Sequence, residues 1–282
     1  MSYAGFYINL DDSADRRAEI EAELDRYGLR DRYQRVAATK GNALGFPNPR
    51  LSPSEVGCFT SHYLALKNNG SAARHLHILE DDAVLCGFTG HTLRWAIESG
   101  VIDQFDILFT DTFVTPLNGE YQYCKALYDR SVERGPSGGV TAVRSQIVKH
   151  IAGMNSYLVN RASIGKLISI YERELGAGAR HPIDLAVRVL SERGDLRTGA
   201  LFPFTTSVRL SRTLDTTLPG RRQDDLTAVA AWIGRNSFFV GADMHELRTQ
   251  AERLLHVPDS DPHHQTLARI LAFSLTDKYH PF

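Results

Sequence analysis

Two periods of apolar spacing alternate along the chain, one near two in short runs and one near 3.6 in the stretches between them. Residues 4–10, Ala-Gly-Phe-Tyr-Ile-Asn-Leu, are rich in β-formers and predict a first strand. Asp11-Asp12-Ser13 opens a helix behind it, with Ile20, Leu24 and Tyr27 on one face and Gly28 as its stop. Residues 33–38 predict a second strand, followed by a Gly/Asn/Pro-rich loop over 40–50. Ser52-Pro53-Ser54-Glu55 is a capping box with proline at the first helical position, and Val56, Phe59, Tyr63 and Leu66 form the stripe behind it. Residues 76–79 and 105–109 are apolar runs that predict buried strands, the first ending in Glu80-Asp81-Asp82 and the second at Thr110-Asp111.

Farther along, Gly135-Pro136-Ser137-Gly138-Gly139 marks a loop, and residues 140–148 and 154–160 read as strands. A helix is predicted over 161–175, another over 183–190 entered through His181-Pro182, and an extended stretch over 202–208. Beyond Pro219 only helical spacing recurs, at 224–233, 244–255 and 265–275. Alternating strands and helices predict an α/β sheet with helices on its faces, with residues 1–218 as one domain and 219–282 as a helical C-terminal extension. Ligands of such sheets bind beyond the carboxyl ends of strands, where Asn9 to Asp11, Ala38 to Lys40, Glu80 to Asp82 and Asp111 all fall.

Composition narrows the class. The 282 residues carry a formal net charge of −1, which gives no electrostatic case for nucleic acid as a partner. Cys58, Cys86 and Cys124 are few and widely spaced, which favours a reducing compartment over a disulfide framework. No apolar run is long enough to span a bilayer and no signal-peptide pattern is present, so a cytoplasmic location is expected. Peripheral contact with a membrane stays open, because Arg221-Arg222 is too short a basic patch to decide it.

Three adjacent carboxylates at a strand end repel one another unless a positive partner sits there. Hard oxygen ligands suit Mg²⁺ or Mn²⁺ bound together with substrate phosphates. An isolated Glu-Asp-Asp is more often a solvated turn, but the strand-end placement of this one favours a site. The start of the first helix suits an anion such as diphosphate, to which Arg16 or Arg17 adds a charged fork; pairing with Glu19 to Glu23 is the plainer alternative. His62 is a ligand-contacting candidate or a packing residue. Asp184 is a helix cap or a general base for an acceptor hydroxyl, and Asp111 is a strand-end ligand or a turn residue.

Taken in order, these segments resemble glycosyltransferase family 25, the lipopolysaccharide-type β-galactosyltransferases with collagen galactosyltransferase relatives. The resemblance is carried by Phe6-Tyr7-Ile8-Asn9-Leu10-Asp11 with Asp15-Arg16, by Val36-Ala37-Ala38-Thr39-Lys40-Gly41, and by Leu51-Ser52-Pro53-Ser54-Glu55-Val56-Gly57-Cys58 with Ser61-His62. It continues in His77-Ile78-Leu79-Glu80-Asp81-Asp82, with echoes at residues 153–159 and at Pro182-Ile183-Asp184. It implies a GT-A-like, Rossmann-type mixed sheet that binds nucleotide, and inverting transfer from a UDP-sugar, most often UDP-galactose. It also implies Mn²⁺ (or Mg²⁺) bridging the diphosphate and the acidic motif. On this resemblance Asp82 and then Glu80 are the metal ligands and Asp184 is the base. Asn9, Asp11, Arg16, Thr39, His62 and Asp111 contact the nucleotide or substrate. Lys40 departs from the small or acidic residue expected in its segment, and residues 111–148 match nothing in the pattern.

The expected partners are a UDP-sugar and a hydroxyl acceptor, a glycan of the bacterial cell envelope before a small molecule or peptide. A homodimer through the C-terminal helices is left open. Two other functions use the same residues: a metal-dependent nucleotide-sugar or phosphoester hydrolase, and a non-catalytic sugar-nucleotide-binding protein.

Overall fold

The computed structural model describes residues 3–47, 50–71, 73–113, 124–128, 141–144, 152–211 and 226–255. Nine strands lie within them: β1 Tyr3–Asn9, β2 Tyr33–Ala37, β3 His75–Glu80, β4 Ala83–Leu85, β5 Ile107–Phe109, β6 Thr141–Arg144, β7 Ser156–Val159, β8 Thr198–Phe202 and β9 Thr206–Val208. The α-helices of ten residues or more are α1 Ala14–Arg26, α2 Pro53–Asn69, α3 Thr89–Glu98, α4 Ile164–Gly176, α5 Ile183–Glu192, α6 Leu226–Asn236 and α7 Met244–Leu255. Seven strands form one mixed sheet in the order β2-β1-β3-β7-β5-β8-β6, and β4 pairs with β9 in a second, two-stranded sheet. In the large sheet β1, β2, β3, β5 and β8 run in one direction, while β7 and β6 oppose them. The carboxyl ends of five strands and the start of β7 therefore share one edge.

The sheet is buried on both faces, and strand periodicity sorts its side chains between two cores. Phe6, Ile8, Leu76, Ile78, Ile107, Phe109, Tyr157 and Val159 pack with Phe59 and Leu66 of α2, Leu167 and Tyr171 of α4, and Val187 of α5. Their neighbours Tyr7, Leu79, Leu108 and Leu158 face the other way, onto Ile20 and Leu24 of α1 and Leu93 and Ala96 of α3. This is the α/β arrangement with helices on both faces that the sequence predicts. Helices α6 and α7 lie beyond residue 219, yet Val229, Trp232, Ile233, Leu247 and Ala251 belong to the first of these cores.

Tyr33, Gly5 and His77 stand in one row across β2, β1 and β3. A side chain on Gly5 would meet the Tyr33 ring at 2.6 Å. The glycine thus lets the tyrosine cross β1 and bring its hydroxyl to His77 Nδ1. Burial pushes the His77 pKa down to about 3, so the imidazole stays neutral inside the sheet.

Element boundaries differ from the sequence expectations in local ways. Helix α1 begins at Ala14, after the predicted opening at residues 11–13. The run at 105–109 becomes a strand only from Ile107, because Asp106 is drawn into a hydrogen-bonded hub. Residues 161–163 form a 3-10 turn before α4, with Asn160 accepting from the Ala162 N–H. The stretch 202–208 breaks into the end of β8 and β9, which leaves the large sheet to pair with β4. The strand predicted at 140–148 appears as β6 to residue 144. Its remainder, the 135–139 loop, Arg221-Arg222 and the predicted helix 265–275 lie outside the described residues.

At the end of the sheet opposite the acids, Asp106 accepts from Ser163 Oγ (2.6 Å), Lys166 Nζ (2.8 Å) and the Arg197 N–H (2.8 Å). It thereby joins β5, the start of α4 and the approach to β8. These donors outweigh burial and hold its pKa at about 2. As pH falls the unfolded chain takes up this proton first, so the stabilisation is present above about pH 4 and disappears as pH falls towards 2. Asp106→Asn is expected to cost roughly 2 kcal/mol at neutral pH and almost nothing below pH 2 in denaturant melts. A loss independent of pH would assign the effect to packing.

Candidate functional site

Strand β3 ends in a turn, and three consecutive acids leave it towards three different sets of partners. Glu80 Oε1 accepts from His62 Nε2 at 3.0 Å, and the Cys58 thiol approaches the same oxygen at 3.8 Å. Asp81 is buried between Asn9 Nδ2 (2.8 Å) and Arg16, whose Nε lies at 2.8 Å and whose terminal nitrogen lies at 2.6 Å. Asp82 Oδ1 accepts from Asn155 Nδ2 at 2.6 Å, while Oδ2 sits 3.7 Å from Arg16. Glu80 Oε2 and Asp82 Oδ2 accept no hydrogen bond among the described residues.

This partition sets the charges. Burial works against ionisation of Glu80, but His62, Arg16 and Arg235 together hold its pKa below the ordinary value. Asp82 has no comparable donor set. Burial and the neighbouring Glu80 push its pKa up to about 7.

The supporting elements follow from local sequence. The capping box is formed as expected: Ser52 Oγ accepts from the Glu55 N–H, and Glu55 Oε2 accepts from the Ser52 N–H. It fixes the start of α2, whose residues at spacing four, Cys58 and His62, face the end of β3. A side chain at Gly57 would lie 2.6 Å from the Thr39 carbonyl oxygen, so its absence lets the Thr39 loop close on α2. The Thr39 N–H donates to Ser61 Oγ at 2.8 Å. On the far side of His62, Nδ1 lies 2.8 Å from the Tyr157 hydroxyl. Asp184 opens α5 and accepts from the N–H groups of Leu185 (2.8 Å) and Gly153 (3.3 Å). Gly153 lies two residues before Asn155, the donor to Asp82, and this segment links Asp184 to the acidic turn.

Asn9, Arg16, Thr39, His62, Glu80, Asp82 and Asp184 are thus gathered at one edge of the sheet. Asn9 uses its whole amide, donating to Ser13 O and Asp81 and accepting from Arg35. Arg16 is turned onto Asp81 rather than onto the helical glutamates, whereas Arg17 pairs with Glu21. Asp11 is exposed and pairs with Arg35, and Lys40 pairs with the exposed Asp12. Asp111 is fully buried, and its carboxylate is taken by Arg235 at 2.6 Å and 2.5 Å. Burial pushes the Asp111 pKa above the usual carboxylate range, with Arg235 opposing the rise.

Sequence reasoning missed Arg235, Asn155 and Cys58 as parts of this site. Arg235 comes from α6, in the stretch read as an appendage, and its charge acts on both Glu80 and Asp82. Its side chain is buried, and Nε has no hydrogen-bond partner. An arginine near the C-terminal end of a helix reads as a solvated dipole partner, and no local pattern in the sequence marks it as buried. Removing one member of a buried pair strands the other charge. Arg235→Met is therefore expected to cost about 3–5 kcal/mol in urea unfolding, with much of the loss recovered in the Asp111→Asn/Arg235→Met double variant. A single-variant cost below about 1 kcal/mol would mean that the pair is solvated.

Among the described residues no helix is long and apolar enough to cross a membrane. A comparison with curated protein sequences finds no match. Among solved structures, the galactosyltransferase LgtC, in complex with donor and acceptor sugar analogs, aligns over 91% of this chain and 98% of its own. The identity is 11% and the TM-score 0.39, a superposition too loose to bear on mechanism. The sequence profile described as "Glycosyltransferase family 25 (LPS biosynthesis protein)" matches residues 4–186, a range that takes in β1, the acidic turn and Asp184. The chain belongs to glycosyltransferase family 25.

Proposed function

We propose that this glycosyltransferase is an inverting, metal-dependent enzyme that moves a hexose, galactose first among the options, from a UDP-sugar to an acceptor hydroxyl in cell-envelope glycan synthesis. The observation that carries the metal reading is the unequal treatment of the three acids. Asp82 is crowded by burial and Glu80 until its pKa reaches about 7, and a bound cation relieves that repulsion. The two oxygens without hydrogen bonds, Asp82 Oδ2 and Glu80 Oε2, are hard donors that suit Mn²⁺ or Mg²⁺. When bound, such an ion supplies Lewis-acid stabilisation of a diphosphate leaving group.

The chain's own residues divide the remaining work. Arg16 and Arg235 place positive charge beside the acids, which limits their repulsion. Asn9 and His62 orient Asp81 and Glu80, and Thr39 borders the nucleotide from the loop after β2. Asp11 and Asp111 act through Arg35 and Arg235. Inversion in one displacement needs a base on the face opposite the leaving group, and Asp184 takes the acceptor proton in this reading. Its two backbone N–H donors fix the carboxylate in place.

Residues 1–218 are proposed as the transferase domain. Residues 219–282 are proposed as the extension, in which α6 carries Arg235 to the acidic edge and α7 is a candidate for a homodimer contact. The enzyme is placed in the cytoplasm, at the inner face of the membrane where its glycan acceptor is presented.

Asp184→Asn is expected to lower turnover of a UDP-sugar by roughly a hundredfold or more while leaving donor binding intact. A loss of metal binding in that variant would instead make Asp184 a ligand or its support. Asp82→Ala is expected to fold normally and to lose metal-dependent turnover; unchanged activity would remove Asp82 from the site. UDP release should rise with added acceptor. Release that ignores the acceptor would indicate a hydrolase, and binding without turnover a non-catalytic protein.

A further inference from the structure

Cys58 Sγ, His62 Nε2 and a Glu80 oxygen lie within 4.8 Å of one another, where the first turns of α2 meet the end of β3. We propose that this trio is a second metal site, selective for a borderline-soft ion such as Zn²⁺, and that its occupancy inhibits the transferase by sharing Glu80. The second clause rests on the function proposed above; the first does not.

Three observations support it. The separations from Glu80 Oε1, 3.0 Å to His62 Nε2 and 3.8 Å to Cys58 Sγ, are close to the edges of a zinc tetrahedron. Bonds of about 2.0–2.3 Å give edges of roughly 3.3–3.8 Å. Cys58 and His62 are four residues apart on α2, so one helix holds two of the three donors on one face. His62 is also braced as a metal-bound imidazole is, its second nitrogen facing the buried Tyr157 hydroxyl at 2.8 Å.

The same contacts define both states. Without an ion, His62 Nε2–H donates to Glu80 and Tyr157 donates to Nδ1. With an ion, Nδ1–H donates to Tyr157, Nε2 turns its lone pair to the metal, and the thiol proton leaves to solvent. The thiolate separates this site from the all-oxygen position at Asp82, because thiolate and imidazole select Zn²⁺ where carboxylates alone suit Mn²⁺. The exposed side of Cys58 gives the ion a route from solvent and a fourth position for water.

Cobalt(II) is the probe, since its bond to thiolate absorbs in the near ultraviolet. Titrating Co²⁺ into the full chain should produce that absorption at one ion per chain. Cys58→Ser and Cys58→Ala should abolish it, with circular dichroism confirming the fold of each. Tyr157→Phe should weaken it by about 10-fold to 100-fold, the effect expected of a residue that orients a ligand. Asp82→Ala should keep the absorption while losing Mn²⁺-dependent turnover, so a failed transferase reading leaves this result standing. Zn²⁺ should inhibit the wild type, and Cys58→Ser, compared with its own zinc-free rate, should resist that inhibition. No thiolate absorption, its persistence in both Cys58 variants, or its loss in Asp82→Ala would each overturn a separate site.

Discussion

Repulsion among Glu80, Asp81 and Asp82 is the constraint around which the functional edge is arranged. Three adjacent carboxylates leave one strand, and each is met by a different element: α2 through His62, α1 through Arg16, and the segment before β7 through Asn155. Only Asp81 is fully neutralised by a close ion pair. Glu80 is held ionised by a hydrogen bond, and Asp82 is left close to its own protonation point. That gradient from satisfied to unsatisfied charge concentrates demand for a cation on one side of the turn.

The fold makes the gradient stable by burying the large sheet on both faces. Parallel β1 and β3 bring Asn9 beside the acidic turn, and antiparallel β7 brings Asn155 to the same edge from the other direction. β9 then crosses to pair with β4, and the Arg209 N–H donates to the Asp82 carbonyl, which ties the turn down. The C-terminal helices add the last positive charge. Trp232 donates from α6 to the Val208 carbonyl, anchoring the helix that carries Arg235 to β9. The family match ends at residue 186, so this chain draws part of its acidic edge from sequence beyond it.

Local chemistry explains what the sequence made legible. Ser52-Pro53-Ser54-Glu55 names its own structure, because a capping box depends on residues within one turn. The apolar run before Glu80 is similarly self-contained. Arg16 was visible as a cation at a helix start but not as the partner of Asp81, a pairing made by the register of β1 against β3. Asp111 sits at a strand end as expected, yet its burial depends on an arginine more than a hundred positions away. The three-residue β4 carries too little pattern to be seen, and β9 shows only as the end of the extended stretch 202–208; their pairing with each other is not local information.

The measurement that bears most directly on this account is calorimetric titration of UDP into the full chain, first with Mn²⁺ and then with excess chelator. Binding is expected with the metal and is expected to be lost when the metal is removed, since the open oxygens of Asp82 and Glu80 need a cation before they can face a diphosphate. Equal binding in both conditions, or none in either, would contradict it.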